Sequence, residues 1–296
     1  YSGMYPYMGY AEIALKMEYL IKKENLEVSE LLKWFSMATI IGYEKNMKGL
    51  VKLLSSPLSS LGKITGISEK TLKTLREISK DVEKVNDLYQ EKLRKGAIIL
   101  QKSGIDFAYL GEEEPDSGVV FHTLGFLDEF KEHARKTYGK FKEFGVKRII
   151  TMDPITGIAF KSFYQALIGE FDIEVKHFVE VVNINESVKR DTVVFHDPCY
   201  LARHWKLIKE PRILLKKSGY DVIDPPNSGE KTRCDGGATE YQDPIGSVKE
   251  SQIRLKELLS TGQKKVVTAC PACLMLFRVG KDFSGMDANL FDIVDL

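Results

Sequence analysis

Apolar residues recur along this chain in two alternating styles. Short, nearly unbroken runs read as strands buried on both faces of a parallel sheet: Ile105-Asp-Phe-Ala-Tyr-Leu110, Arg148-Ile-Ile-Thr151, Thr192-Val-Val-Phe-His196, Asp221-Val-Ile223 and Lys265-Val-Val-Thr268. Elsewhere, Leu127 to Phe144 and Ile245 to Ser260 repeat their apolar positions at three- and four-residue steps, as amphipathic helices do. The same spacing predicts helices at Glu27-Val-Ser-Glu-Leu-Leu-Lys-Trp-Phe35, from Glu44 to Leu54, and from Ser68 through Arg94, with Ser68 and Glu69 marking a helix start. Strands alternating with helices predict an α/β fold.

The pattern occurs twice. Gly145 to Phe160 aligns with Gly262 to Phe277 at an offset of 117, pairing Thr151 with Thr268, Pro154 with Pro271 and Phe160 with Phe277. Pro115-Asp-Ser-Gly118 aligns with Arg233-Cys-Asp-Gly236, and Gly3-Met-Tyr5 with Pro198-Cys-Tyr200. The chain is therefore expected to hold two tandem pseudo-symmetric modules, residues 1–185 and 186–296, each a small parallel sheet flanked by helices. Wherever the second copy has a cysteine, the first does not: Met4, Asp116, Asp153 and Thr156 stand opposite Cys199, Cys234, Cys270 and Cys273. Met4 to Asp116 is 112 residues and Cys199 to Cys234 is 35, so the first module holds 77 extra. These lie between about Lys22 and Lys102, a helical insertion spanning about residues 25–100.

Composition narrows the function. A chain of 296 residues with 43% hydrophobic content supports two domains and a sizeable core. With 43 basic and 42 acidic side chains the net charge is +1, which gives no reason to expect nucleic acid. No run approaches the roughly 18 apolar residues of a membrane span, and no signal peptide pattern is present. The first residue is Tyr1 rather than Met, so further chain upstream is an expectation.

The four cysteines all lie after residue 198, and without secretory signals they fit a reducing, cytoplasmic compartment. Cys199 follows one expected strand, and Cys270-Pro-Ala-Cys273 follows another. Ligands gather at the carboxyl ends of strands in open α/β sheets. The two-residue gap lets both sulfurs of Cys270 and Cys273 face one metal centre, with Pro271 stiffening the turn. Gly236 and Gly237, after Cys234-Asp235, allow positive φ and amides directed at a bound group. Four thiolates can hold one [4Fe–4S] cluster or one structural zinc ion; a redox disulfide at Cys270 and Cys273 would leave Cys199 and Cys234 without a role. Structural zinc sites use two short cysteine pairs, and here only one pair is short.

Cys199, Cys234-Asp235-Gly236 and Cys270-x-x-Cys273, with His196-Asp-Pro-Cys-Tyr-Leu-Ala-Arg203, Glu210-Pro-Arg212 and Thr268-Ala-Cys-Pro-Ala-Cys273, resemble the cysteine-rich CCG domain of heterodisulfide reductase B and D subunits and related iron–sulfur oxidoreductases. That family also carries the module in tandem. The resemblance implies one [4Fe–4S] cluster on Cys199, Cys234, Cys270 and Cys273. Its pattern has two adjacent cysteines before the glycine; here the second is Asp235, a fifth ligand through oxygen or a non-ligand neighbour. The first module has no ligand left, which argues against a two-cluster disulfide cleavage and reduces it to a structural half.

Among the neighbours, His196 is placed to hydrogen-bond a cluster sulfide, shuttle a proton or cap the strand end. Arg203 and His204 either bring positive charge to the cluster or sit on a solvated helix. Asp153 and Thr156 read as relics, and Glu112-Glu-Glu114 as a solvated loop. Lys45 to Leu54 is basic and amphipathic, suited to a partner subunit or to peripheral membrane contact. No G-x-G-x-x-G follows a strand, so the chain shows no nucleotide or flavin fingerprint of its own. The expected role is an electron-transfer or oxidoreductase subunit working between a ferredoxin-like or flavin-bearing redox subunit and a thiol, disulfide or quinone-linked acceptor, membrane-associated through a partner. The alternative is a non-enzymatic assembly subunit whose zinc only holds the fold.

Overall fold

Four of the five apolar runs are strands in the computed structural model, which describes residues 1–23, 68–188 and 191–296 and the isolated positions Gly49, Lys52, Ser55 and Pro57. The strands are β1 (Arg148–Thr151), β2 (Glu174–His177), β3 (Asp191–His196), β4 (Tyr220–Ile223), β5 (Lys265–Thr268) and β6 (Asn289–Asp292). Every pair among them is parallel. One sheet has the order β4-β3-β5-β6 and the other is β1-β2. The last four residues of β3, Val193 to His196, are buried, because helices cover both faces of the sheet.

The helices are α1 (Tyr5–Lys23), α2 (Glu69–Ser79), α3 (Val82–Lys102), α4 (Val119–Thr123), α5 (Leu127–Glu143), α6 (Pro154–Ile158), α7 (Gln165–Ile168), α8 (Phe178–Val181), α9 (Lys209–Lys217), α10 (Pro244–Leu259) and α11 (Pro271–Ser284). A π-turn, Ala159–Tyr164, joins α6 to α7, and another, Tyr200–His204, follows Cys199. Helix α11 is buried over most of its length, from Pro271 to Phe277 and again at Val279 and Gly280, because α10 from its own half and α1 from the other pack on it. The two halves thus share one apolar core.

The repeat read from the sequence is physical. Strands β1 and β5 begin and end 117 residues apart, and β1 pairs with β2 as β5 pairs with β6, with Thr151 opposite His177 and Thr268 opposite Asp292. His196 pairs with Thr268 on β5. Tyr1 takes the equivalent place on β1: its amine donates to Ile150 O at 2.8 Å and its carbonyl accepts from Met152 N at 3.3 Å. Asp116 accepts from Gly118 N as Cys234 Sγ accepts from Gly236 N.

Some expectations need correction. Ile105 to Leu110 is not a strand; it has no ladder partner among the described residues, and its Ile105, Phe107 and Leu110 rest on the core. The helix expected from Ser68 through Arg94 is two, broken at Lys80 and Asp81, with Ser68 Oγ accepting from Thr71 N as the N-cap of α2. The stretches at 27–35 and 44–54, including the amphipathic Lys45 to Leu54, lie outside the described residues apart from Gly49 and Lys52. Glu114 is not a solvated acid: its Oε1 accepts from Ser2 N at 2.8 Å and from the Ser2 hydroxyl, tying the chain start to this loop. Among the described residues, no helix is long and apolar enough to cross a membrane.

Candidate metal centre

Strand order puts the cysteines together. From β3 the chain crosses through α9 to β4 on one side, then returns through α10 to β5 on the other. The carboxyl ends of β3 and β5 therefore flank a topological switch point, where open α/β sheets form a crevice. Cys199 lies three residues past the end of β3, and Cys270 two past the end of β5. Cys270 is the N-cap of α11 in an extended conformation, with Pro271 as the first helical residue and Cys273 in the first turn. Both sulfurs sit at the positive end of a helix, which favours thiolates. Cys234 arrives from the loop between β4 and α10. All four line one cleft, Cys270 and Cys273 buried and Cys199 and Cys234 half-buried.

Each cysteine segment is tied down. The Asp197 carboxylate, in the turn before Cys199, receives both Arg212 nitrogens at 2.7 Å and Gly229 N at 2.8 Å. Thr232 Oγ1 donates to Asp197 O at 2.9 Å, which joins the Cys199 turn to the loop carrying Cys234. Arg203 donates to the carbonyls of Glu230 and Thr232, so its charge anchors that loop instead of facing the sulfurs. His204 is exposed and stacks on Tyr200. Gly236 has φ +99°, and a Cβ there would lie 2.5 Å from Ser247 O, so only glycine fits. Gly237 needs no positive φ; its N–H donates to Asp235 Oδ1 at 3.1 Å.

The thiols interact pairwise. Cys199 is pushed well up and Cys234 pulled down by the hydrogen bond they share, and burial, then Cys270, raises Cys273. Such a set releases protons when it takes a metal. Beneath the sulfurs, burial and then the Arg254 charge hold His196 well below the usual histidine range. Its Nε2 lies 3.8 Å from Asp235 Oδ2, and neither atom has a partner; Thr268 Oγ1 and Glu240 Oε2 are also buried and unpartnered. Unpaired buried polar atoms are rare and costly. Asp235 and Glu240 line the cleft with the four thiols, and His196 lies close to Asp235 and Cys273; this setting fits a polynuclear cluster, whose sulfides accept hydrogen bonds as well as bridging metals. Burial, then the Asp235 charge, pushes the Glu240 carboxyl up to about 8.

The opposite wall comes from the first half: Met4, Val119, Val120 and Ile155 face the cysteines across the cleft. Of the four positions opposite the cysteines in the repeat, only Met4 is among these lining residues. Asp153 is fully buried and turned inward, capping α6 by accepting from Ile155 N at 3.1 Å and Thr156 N at 2.8 Å, and accepting from Met4 N at 3.0 Å. It is a structural cap, not an idle relic. The sequence reading missed Arg254 and Glu240. Arg254 lies in an amphipathic helix, where cations normally face solvent, and Glu240 in a polar loop; neither carries a local signal of burial.

Residues 193–278 match the family model described as a cysteine-rich domain, CCG. Over 202 residues the chain is 31% identical to a "Probable membrane-anchored ferredoxin" of Chromohalobacter salexigens, covering 64% of this chain and 30% of that protein. It is 29% identical over 227 residues to a "Probable iron-sulfur-binding oxidoreductase FadF" of Bacillus subtilis, covering 70% and 32%. It is 29% identical over 213 residues to the D-type polypeptide of the dihydromethanophenazine:CoB–CoM heterodisulfide reductase of Methanosarcina barkeri, covering 67% and 52%. The chain spans about a third to a half of the length of these relatives.

Proposed function

We propose, from the premise that this chain carries a CCG cysteine-rich domain, that it is the cluster-bearing part of an iron–sulfur oxidoreductase and serves electron transfer. One [4Fe–4S] cluster on Cys199, Cys234, Cys270 and Cys273 belongs to the module at 186–296, and residues 1–185 form a ligand-free companion module. The observation that carries this reading is the gathering of four thiols and the unpartnered Asp235 carboxylate oxygen at one switch-point cleft, with His196 close to Asp235 and Cys273. A bound cluster supplies storage of single electrons. The protein's part is to hold the thiolates at a helix N-terminus, to offer amides and His196 as donors, and to exclude water with Met4, Val119 and Ile155. In this reading electrons arrive from a ferredoxin-like or flavin-bearing subunit and leave to a thiol, disulfide or quinone-linked acceptor, on the cytoplasmic side.

The test is iron, sulfide and zinc content of anaerobically purified protein, with EPR spectra before and after dithionite. About four irons and four sulfides per chain with a reducible signal support the reading. Stoichiometric zinc without iron overturns it and leaves an assembly subunit with a structural metal. Asp235→Asn and Asp235→Cys then address the fifth position: iron content unchanged in Asp235→Asn makes the carboxylate a neighbour, and loss of iron makes it a ligand.

A further inference from the structure

We infer that Arg254 fixes His196 as the tautomer with its proton on Nε2, making His196 a neutral hydrogen-bond donor to the cluster, neither a ligand nor a proton carrier. The inference deepens the cluster reading and rests on it. Arg254 lies on α10 with a fully buried side chain, and its Nε donates to His196 Nδ1 at 3.2 Å. A guanidinium has five N–H donors and no acceptor, and it stays protonated in proteins. Nδ1 therefore presents its lone pair, and the ring's one proton is on Nε2.

The remaining geometry gives that N–H a direction. Arg254 cannot swing away: Nη1 donates to Glu257 Oε2 at 2.7 Å and Nη2 to Thr232 Oγ1 at 3.3 Å. The His196 ring stands edge-on to Phe277, with centroids 4.8 Å apart. Nε2 lies 3.8 Å from the buried Asp235 Oδ2, and one ligand atom from each of His196, Asp235 and Cys273 lies within 4.8 Å of the others. That grouping has the look of a mononuclear metal site. A metal on Nε2, however, would need a lone pair there while Nδ1 is already accepting, which makes the ring an imidazolate anion beside a buried carboxylate. An imidazolium would set Nδ1–H against the guanidinium N–H, donor to donor. The neutral Nε2–H form satisfies every contact, and it lacks only an acceptor on the cavity side, which a cluster sulfide or a thiolate provides. Hydrogen bonds to cluster sulfur raise the reduction potential.

The experiment uses anaerobically purified, dithionite-reduced protein grown on ¹⁵N-histidine. Electron–nuclear double resonance should give one weakly coupled histidine nitrogen and an exchangeable proton that vanishes in D₂O. Both should disappear in His196→Gln, which separates His196 from the other four histidines. A strongly coupled nitrogen, as from a direct ligand, or no coupling at all would overturn the inference while leaving the cluster reading intact; absence of iron and sulfide would instead overturn the cluster reading beneath it. The role of Arg254 is read from midpoint potentials. His196→Gln should fall below wild type, Arg254→Lys should keep the wild-type value, and Arg254→Met should fall with no further drop in the double variant. Additive drops would refute the tautomer lock. If Arg254→Met does not fold, the Arg254→Lys potential and the two histidine spectra still decide.

Discussion

Arg212 meets Asp197 through two parallel N–H···O bonds, Nη1 to Oδ1 and Nη2 to Oδ2, each 2.7 Å long. Asp197 is 1% exposed, and Arg212 reaches it from α9 while also donating to Ile208 O. The pair explains why Glu210-Pro-Arg212 accompanies His196-Asp-Pro-Cys199: the arginine holds the turn that presents the first cysteine. Truncating one partner leaves a buried charge unpaired, at a cost of about 3–5 kcal/mol. Arg212→Ala should therefore lower the unfolding free energy in urea by that amount and reduce iron uptake on reconstitution. Arg212→Lys, which loses the two-pronged geometry, should fall between. Wild-type stability in Arg212→Ala would show that Asp197 is held by Gly229 and water alone.

Gly3 makes the corresponding turn in the first half. It has φ +65°, and a Cβ there would lie 1.7 Å from Asp153 Oδ2. Asp153 cannot retreat, because it caps α6 and receives Met4 N. Gly3→Ala should cost roughly 2–3 kcal/mol in thermal or urea unfolding, from positive φ and collision together. A double variant with Asp153→Ala should recover the collision part only, so the two substitutions should be non-additive in a double-mutant cycle.

The sequence was most legible where burial is two-sided. Val193 to Phe195 and Lys265 to Thr268 read as strands because both faces of the sheet are covered, and the offset of 117 between β1 and β5 corresponds to strands that keep the same parallel register with the strand after them. The edge strands β2, Glu-Val-Lys-His, and β6, Asn-Leu-Phe-Asp, went unread because four half-polar residues do not establish a period of two. Ile105 to Leu110 misled in the opposite sense: apolar enough for a strand, it has no strand to pair with among the described residues. At the site, cysteine spacing located the cleft. The polar atoms beneath it, on His196, Thr268 and Arg254, are set by contacts between segments up to about 70 residues apart, which no local pattern encodes.

His177 occupies in the first half the register position of Asp292 in the second, and both cap a short helical turn. Burial holds the His177 imidazole down to about 3, against 6.5 for the free side chain. The unfolded chain thus binds a proton that the folded one refuses between those values. Its contribution to stability is whole above pH 6.5 and is lost as pH falls toward 3. His177→Asn keeps an N-cap without titrating. Relative to wild type it should gain stability on acidification, by on the order of a few kcal/mol at the lowest pH where both remain folded. An unchanged wild-type-minus-variant difference between pH 7 and pH 4 would mean that the ring takes up its proton in the folded state.

Glu240 gives the opposite slope. Its buried carboxyl, beside the Asp235 charge, titrates at about 8 when folded and near 4.5 when exposed. Between those values the folded chain binds the proton that the unfolded chain has released. Stability is therefore full below pH 4.5 and falls as pH rises toward 8. At one pKa unit per 1.36 kcal/mol, the loss is on the order of 5 kcal/mol once the pH passes 8. Glu240→Gln retains shape and hydrogen-bonding capacity without a titrating proton. It should match wild type in urea unfolding at pH 5 and exceed it by several kcal/mol at pH 8.5. Because Glu240 lines the cysteine cleft, the variant also tests solvent access: equal pH slopes in the two proteins would require that water reaches the carboxylate through the cleft and stabilises its charge in place.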